Sequence, residues 1–291
     1  MGSNRINMNG GCILMECFNK FFIDNSEVKE TSLFKENWLK EGKSLYEVIR
    51  IIDGAPLFLK SHLERFYNSA ELENLSLWLN EDEIKENIDK LIEMNEVSIG
   101  NIKLVFNFNE NKDNKFLCYF LKHNYPADIE YKKGVKTILY HGERENPNAK
   151  VINMDFRKIV GEKIKEEKAY EAILVDRNGY ITEGSKSNIF MIKDNKVITA
   201  PIEKVLPGIT RQNIIDVCKN LNLKIEEEKV DYKDIDKLEG LFISGTSPKV
   251  LPIKYVDKIE FKSPENRLIQ NIIKGYDKAI EDDIKDYKNK E

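Results

Sequence analysis

"YEAILVDRNGYITEGSKSNIFMIKDNKVITAP", Tyr170 to Pro201, decides the fold. Runs rich in Ile, Val, Phe, Tyr and Thr follow one another, joined by the turn signals Asn178-Gly179 and Asp194-Asn195, and they read as consecutive strands. Helical patterns flank them. Upstream, "NPNAKVINMDFRKIVGEKI" (Asn146 to Ile164) sets Lys150 between a proline-containing loop and the first turn of an amphipathic helix. Downstream, "ITRQNIIDVCKNLNL" places Ile214, Ile215, Cys218 and Leu221 on one apolar helix face. The tail does the same with Leu268, Ile269, Ile272, Ile273, Tyr276 and Ile280, then fades into charge at an end expected to fray.

Toward the N-terminus the texture repeats. "GGCILMECFNKFFID" is strand material, and "SLYEVIRIIDGAPLFLKSH" gives two strand-like runs around Asp53-Gly54. Two helices follow: Leu63, Phe66, Tyr67 and Ala70 share one face, and Ile84, Ile88, Leu91 and Ile92 share another behind a capping pair, Asn80 and Glu83. "NIKLVFNFNENKDNKFLCYFLKH" reads as a hairpin with a polar centre. A proline and mixed charges in "HNYPADIEYKKG" separate the halves, so the expectation is an α/β (α+β) chain with a smaller N-terminal domain, 1–125, and a larger C-terminal one, 126–291.

Composition excludes several classes. With 46 basic and 50 acidic residues interspersed and a formal charge of -4, no block of the 291-residue chain reads as a nucleic-acid surface. No apolar run reaches signal-peptide or membrane-spanning length, and the "MGSNRI" opening has Ile6 where a lipidation signal needs Ser or Thr; a cytoplasmic protein without a membrane partner is expected. Cys12, Cys17, Cys118 and Cys218 are scattered with only three histidines, which disfavours a disulfide framework or a metal site, and Cys118 and Cys218, in the apolar stretches "FLCYF" and "IIDVCKNL", read as core. "GKS" at Gly42 to Ser44 ends like a phosphate-binding loop, but the glycine needed five residues earlier is Asn37.

The remaining polar motifs suit an anionic, aldehyde-bearing cofactor. "SHLERFYNSA" aligns His62, Arg65 and Ser69 on one helix face, where a guanidinium fork binds phosphate oxygens. "VLPGITR" opens a helix so that the Ile209 and Thr210 amides and the Thr210 hydroxyl face an anion. "FISGTSP" permits close backbone approach at Gly245 and Thr246, and Glu183 ends a strand where a carboxylate keeps a pyridine nitrogen protonated.

The ordered series "LYEVIR", "HLERFYNSA", "AKVIN", "EAILVDRNGYITEGSKSNIF", "LPGITR" and "FISGTS" resembles the class IV aminotransferases, fold-type IV enzymes dependent on pyridoxal 5'-phosphate (PLP). The resemblance implies a cofactor in the interdomain cleft, a homodimer, and a Schiff-base lysine at Lys150. It implies phosphate contacts from Arg65, Ile209, Thr210 and Thr246, and a pyridine partner in Glu183. Tyr46 falls on an active-site tyrosine of the D-amino-acid enzymes, and Asn188 lies in the segment beside the cofactor.

Departures from the pattern bear on substrate choice. Met154 stands where branched-chain enzymes have a tyrosine, and "LYEVIR" lacks their Phe-Glu-Gly. The strand "NIKLVFNFN" offers Lys103 but no arginine for a substrate carboxylate, which makes Lys103 and Arg144 the candidates. The expected activity is amino transfer between an amino acid and a 2-keto acid, of branched-chain or D-amino-acid type. The alternatives are a lyase splitting 4-amino-4-deoxychorismate and a PLP-binding protein with little catalysis.

Overall fold

The computed structural model describes residues 16–39, 42–109, 113–122, 125–144, 147–150 and 154–289. Cys12 and Asn153 lie outside the described residues, as does the side chain of Met154.

The first half is one antiparallel sheet with two helices on a face. Its elements are β1 (Cys17–Asp24), β2 (Glu27–Glu30), β3 (Lys43–Ile52), β4 (Ala55–Pro56), α1 (Leu59–Leu72), α2 (Glu81–Asn95), β5 (Ile99–Phe108) and β6 (Lys115–Leu121), in strand order β2-β1-β6-β5-β3-β4. Strand alternation divides the side chains. Leu45, Ile49 and Ile51 of β3 join Ile102, Leu104 and Phe106 of β5 under Leu63, Phe66, Ile84 and Ile88 of the helices. Tyr46, Val105 and Tyr119 turn the other way, with Phe22 and Phe34. Each fully buried apolar side chain of this kind contributes about 1.5–3 kcal/mol.

The capping pair forms as expected: Asn80 accepts from the Glu83 amide (3.0 Å) and the Glu83 carboxylate accepts from the Asn80 amide (2.8 Å). The second strand-like run after Gly54 is shorter than its composition suggests. Only Ala55 and Pro56 pair with β3; Phe58 then takes a left-handed φ of 52° and α1 begins at Leu59, its apolar residues serving the core as helix. The "GKS" glycine has a structural use: Gly42 has a φ of 70°, and a Cβ there would meet the Phe108 carbonyl oxygen at 2.1 Å.

After α3 (Asp128–Lys133) the second half builds a larger sheet from β7 (Val135–His141), β8 (Glu171–Val175), β9 (Tyr180–Gly184), β10 (Asn188–Lys193), β11 (Lys196–Thr199), β12 (Ile225–Glu227), β13 (Val230–Asp231), β14 (Gly240–Gly245), β15 (Lys249–Val256) and β16 (Ile259–Glu260), with α4 (Met154–Glu166), α5 (Ile209–Asn220) and α6 (Arg267–Lys288). The path β10-β14-β15-β7-β8-β9 returns to β10 through the pair Asn188–Glu183, so these strands close on themselves. Ile189 and Met191 face inward with Ile173, Ile243 and Leu251, while Phe190 and Ile192 face α5 and α6 with Phe242, Ile214 and Ile272.

Leu221 departs from expectation: it lies past the last turn of α5 and is 43% exposed, and the buried face is completed by Val217. Cys118 and Cys218 are buried thiols, as the sequence suggests, and Cys17 is buried as well. Among the described residues no helix is long and apolar enough to cross a membrane.

Candidate active site

A cleft of about 1130 Å³ opens between the two sheets, and the residues given a cofactor or substrate role above all line it. Tyr46 comes from β3, Arg65 from α1 and Lys103 from β5. From the other side come Arg144 and Lys150 in the segment before α4, Glu183 and Asn188 at the β9–β10 turn, Ile209 and Thr210 at the start of α5, and Gly245 and Thr246 at the end of β14.

Lys150 is held by its backbone: its carbonyl accepts from the Tyr46 amide (3.2 Å) and its amide donates to Ser69 Oγ (3.4 Å). Its ammonium form is disfavoured. Burial, then the positive charges of Arg65, Arg144 and Arg157, push the amine down to about 7, against an opposing pull from Glu47 4.0 Å away. A buried lysine that is about half neutral near pH 7 is a nucleophile and a proton acceptor.

Glu183 is perturbed in the opposite sense. Burial pushes its carboxyl up to about 7, countered by Arg144, whose guanidinium stands 3.7 Å away, and by the Leu206 amide, which donates to Oε2 at 3.0 Å. Asn188 donates to the Leu206 carbonyl (2.9 Å), so one loop is gripped by both residues of the barrel-closing pair. The loop then enters α5 through Gly208, where a Cβ would lie 2.1 Å from Asn188 Oδ1. Gly208 offers no capping side chain, and the first amides of α5 face the cleft without intrahelical partners. The Thr210 hydroxyl accepts from Tyr276 at 3.4 Å.

Arg65 is bound more tightly than a surface helix arginine. Its Nε and Nη2 donate to the Glu47 carboxylate (2.8 and 2.6 Å) and its Nη1 to the Pro207 carbonyl (3.1 Å). A guanidinium has five donors. Two therefore remain for an anion beside the α5 N-terminus. On the β14 side Thr246 donates to the Val48 carbonyl (3.3 Å), and Ser244 Oγ is buried in the cleft wall without a hydrogen-bond partner among the described residues. That orphaned hydroxyl, the two unspent arginine donors and the open helix start fit a phosphate group next to Lys150.

Sequence reasoning passed over Glu47 and Arg157. Glu47 is fully buried; burial alone would raise its carboxyl, but Arg65, Lys150 and His62 hold it well below the usual carboxylate range. With Glu47 ionised, His62 donates Nδ1–H to it (2.8 Å), and burial keeps the imidazole neutral by lowering it from its ordinary value. The available signal was phase: Glu47 occupies the core-facing position between Leu45 and Ile49, where a carboxylate without partners would cost several kcal/mol. Arg157 lies on α4 among other helix charges, and no spacing distinguishes it.

The family model for amino-transferase class IV matches residues 44–256. The D-alanine aminotransferase of Bacillus licheniformis is 29% identical over 234 residues, covering 74% of this chain and 80% of that protein. The solved branched-chain amino acid aminotransferase of Escherichia coli superposes with a TM-score of 0.82 at 21% identity, covering 90% of this chain and 95% of its own. A further solved branched-chain amino acid aminotransferase, in complex with pyridoxamine 5'-phosphate, gives a TM-score of 0.81 at 20% identity over 91% of this chain and 95% of its own. With the family model spanning most of its length, the chain belongs to the class IV aminotransferases, enzymes that work with pyridoxal 5'-phosphate.

Proposed function

We propose that this enzyme moves an amino group between an amino acid and a 2-keto acid, with Lys150 as the amine that binds the cofactor and carries the proton. The observation that carries the reading is the buried Lys150 amine, lowered to about 7, in one cleft with Glu183 and with an Arg65 that keeps two donors unspent. PLP, when bound, supplies an aldehyde that condenses with amines and a ring that accepts the electron pair released at the substrate α-carbon. Arg65, the Ile209 and Thr210 amides and Thr246 would hold its phosphate. Gly245 would let the backbone come close, Asn188 fixes the loop at Leu206, and Glu183 would hold a proton at the pyridine nitrogen. Lys150, once displaced by substrate, would take the proton from the substrate α-carbon and return it to the cofactor carbon on the other side of the substrate nitrogen, a transfer its near-neutral pKa favours in both directions. Tyr46 lines the cleft beside the Lys150 amine.

The chain divides into a smaller unit, 1–125, and a larger, 126–291, with the cofactor between them. A homodimer is the working assembly, a reading supported by the family resemblance. The test is an absorbance spectrum of the PLP-loaded protein before and after L- and D-amino acids are added separately. One enantiomer is expected to deplete the lysine-bound cofactor band and raise that of pyridoxamine phosphate, and Lys150→Ala to lack the first band. A band that no donor moves, with pyruvate released from aminodeoxychorismate, refutes amino transfer in favour of the lyase.

A further inference from the structure

The cleft holds more positive charge than a phosphate requires, and most of it is matched. Arg65 is anchored on Glu47, Arg144 stands 3.7 Å from Glu183, and Lys103 Nζ lies 2.5 Å from Glu16 Oε1. Arg157 differs. It lines the cleft from α4, donates to the Tyr46 hydroxyl and packs its guanidinium 4.9 Å from the centre of the Tyr46 ring. Among the described residues it makes no salt bridge with a carboxylate. The same ring lies 5.2 Å from Lys150 Nζ, so Tyr46 joins the reacting amine to the unmatched guanidinium.

We infer that Arg157, steadied by Tyr46, is the residue that receives the α-carboxylate of the substrate, in preference to Lys103 and Arg144. The inference rests on the reading of Lys150 as the amine that meets the substrate. An amino acid whose nitrogen reaches the Lys150 position carries its carboxylate one carbon away, within reach of groups that touch the Tyr46 ring. Of the cations there, Lys103 would have to leave Glu16 to accept a new anion, whereas Arg157 adds a charge-assisted fork with no carboxylate to displace. The tyrosine face that fixes the guanidinium plane reduces the ordering cost of that fork.

The test compares the PLP-loaded parent with Arg157→Met and Arg157→Lys. Propionate, a carboxylate without an amine, is titrated calorimetrically, and kcat/KM is measured for the reactive amino acid and for the matching amine lacking the carboxylate. Arg157→Met is expected to weaken propionate about 10- to 100-fold and to lower kcat/KM for the amino acid by a similar factor. The matching amine is expected to lose nothing, cofactor affinity to stay unchanged, and Arg157→Lys to recover part of the propionate binding. Propionate binding equally well to Arg157→Met overturns the assignment, as does an equal loss for amine and amino acid. If Arg157→Met does not fold, undiminished propionate binding by Arg157→Lys and by Tyr46→Phe together overturns it. A parent whose cofactor band answers to no amino acid would instead refute the reading of Lys150, while its propionate titration would still report on Arg157.

Discussion

Replacing Lys150 by methionine in the apoprotein should change not only stability but its pH dependence. In the fold the amine is pushed down to about 7; in the unfolded chain it has its ordinary value of 10.5. Between these limits the unfolded state binds more protons, so the lysine makes the wild type gain stability as pH rises. The cost of the buried charge is fully present below pH 7 and is relieved as pH passes through 10.5. The limiting size is about 5 kcal/mol, since each tenfold loss of proton affinity is worth about 1.4 kcal/mol. From pH 7 to pH 9.5 the wild type should therefore gain about 3 kcal/mol relative to Lys150→Met. Urea denaturation of both apoproteins across that range, followed by far-ultraviolet circular dichroism, measures the difference while titrations common to both cancel. A stability difference that stays constant from pH 7 to 9.5 would refute the claim that Lys150 is held neutral by burial and by Arg65.

Arg65→Ala removes the remaining phosphate donors and leaves the Glu47 carboxylate without its main counter-charge. PLP dissociation should rise at least about 10-fold and apoprotein stability fall by about 3–5 kcal/mol, and cofactor retention equal to wild type on gel filtration would exclude Arg65 from the phosphate site. Far from the cleft, Asn80→Ala deletes one half of the α2 capping pair and should cost about 1 kcal/mol in thermal or urea unfolding without altering turnover. A larger loss there would show that Asn80 does more than cap.

Much of this was legible in the sequence, for identifiable reasons. Lys150, Arg65, Glu183 and the "LPGITR" helix start stand out because each breaks a local pattern: a lysine at a loop–helix junction, an arginine in a polar helix stripe, a carboxylate closing an apolar strand, a glycine ahead of an uncapped helix. The α2 start was legible because Asn80 and Glu83 complete their bonding within four residues. What escaped depends on contacts between distant segments. Glu47 sits in a strand whose alternation looks ordinary until α1 lays His62 and Arg65 over it. Arg157 gains meaning only when Tyr46 is brought beside it from another sheet. Closure of the second sheet at Asn188 and Glu183 leaves no trace in hydrophobic spacing, and Leu221 keeps helical phase but has run past the helix end.

The flank of β3 opposite β5 carries a further consequence. Along residues 43–50 that flank has no neighbouring strand among the described residues, and its polar groups are met instead by the Lys150 carbonyl and the Thr246 hydroxyl. The wall of the cleft is thus also what shields an open sheet edge. Were the N-terminal half released alone, by proteolysis in the segment before α3 or by stalled synthesis, it would expose an unsatisfied strand to other copies and tend toward edge-to-edge aggregation. The same bonds that hold Lys150 in place keep that edge from recruiting a neighbour.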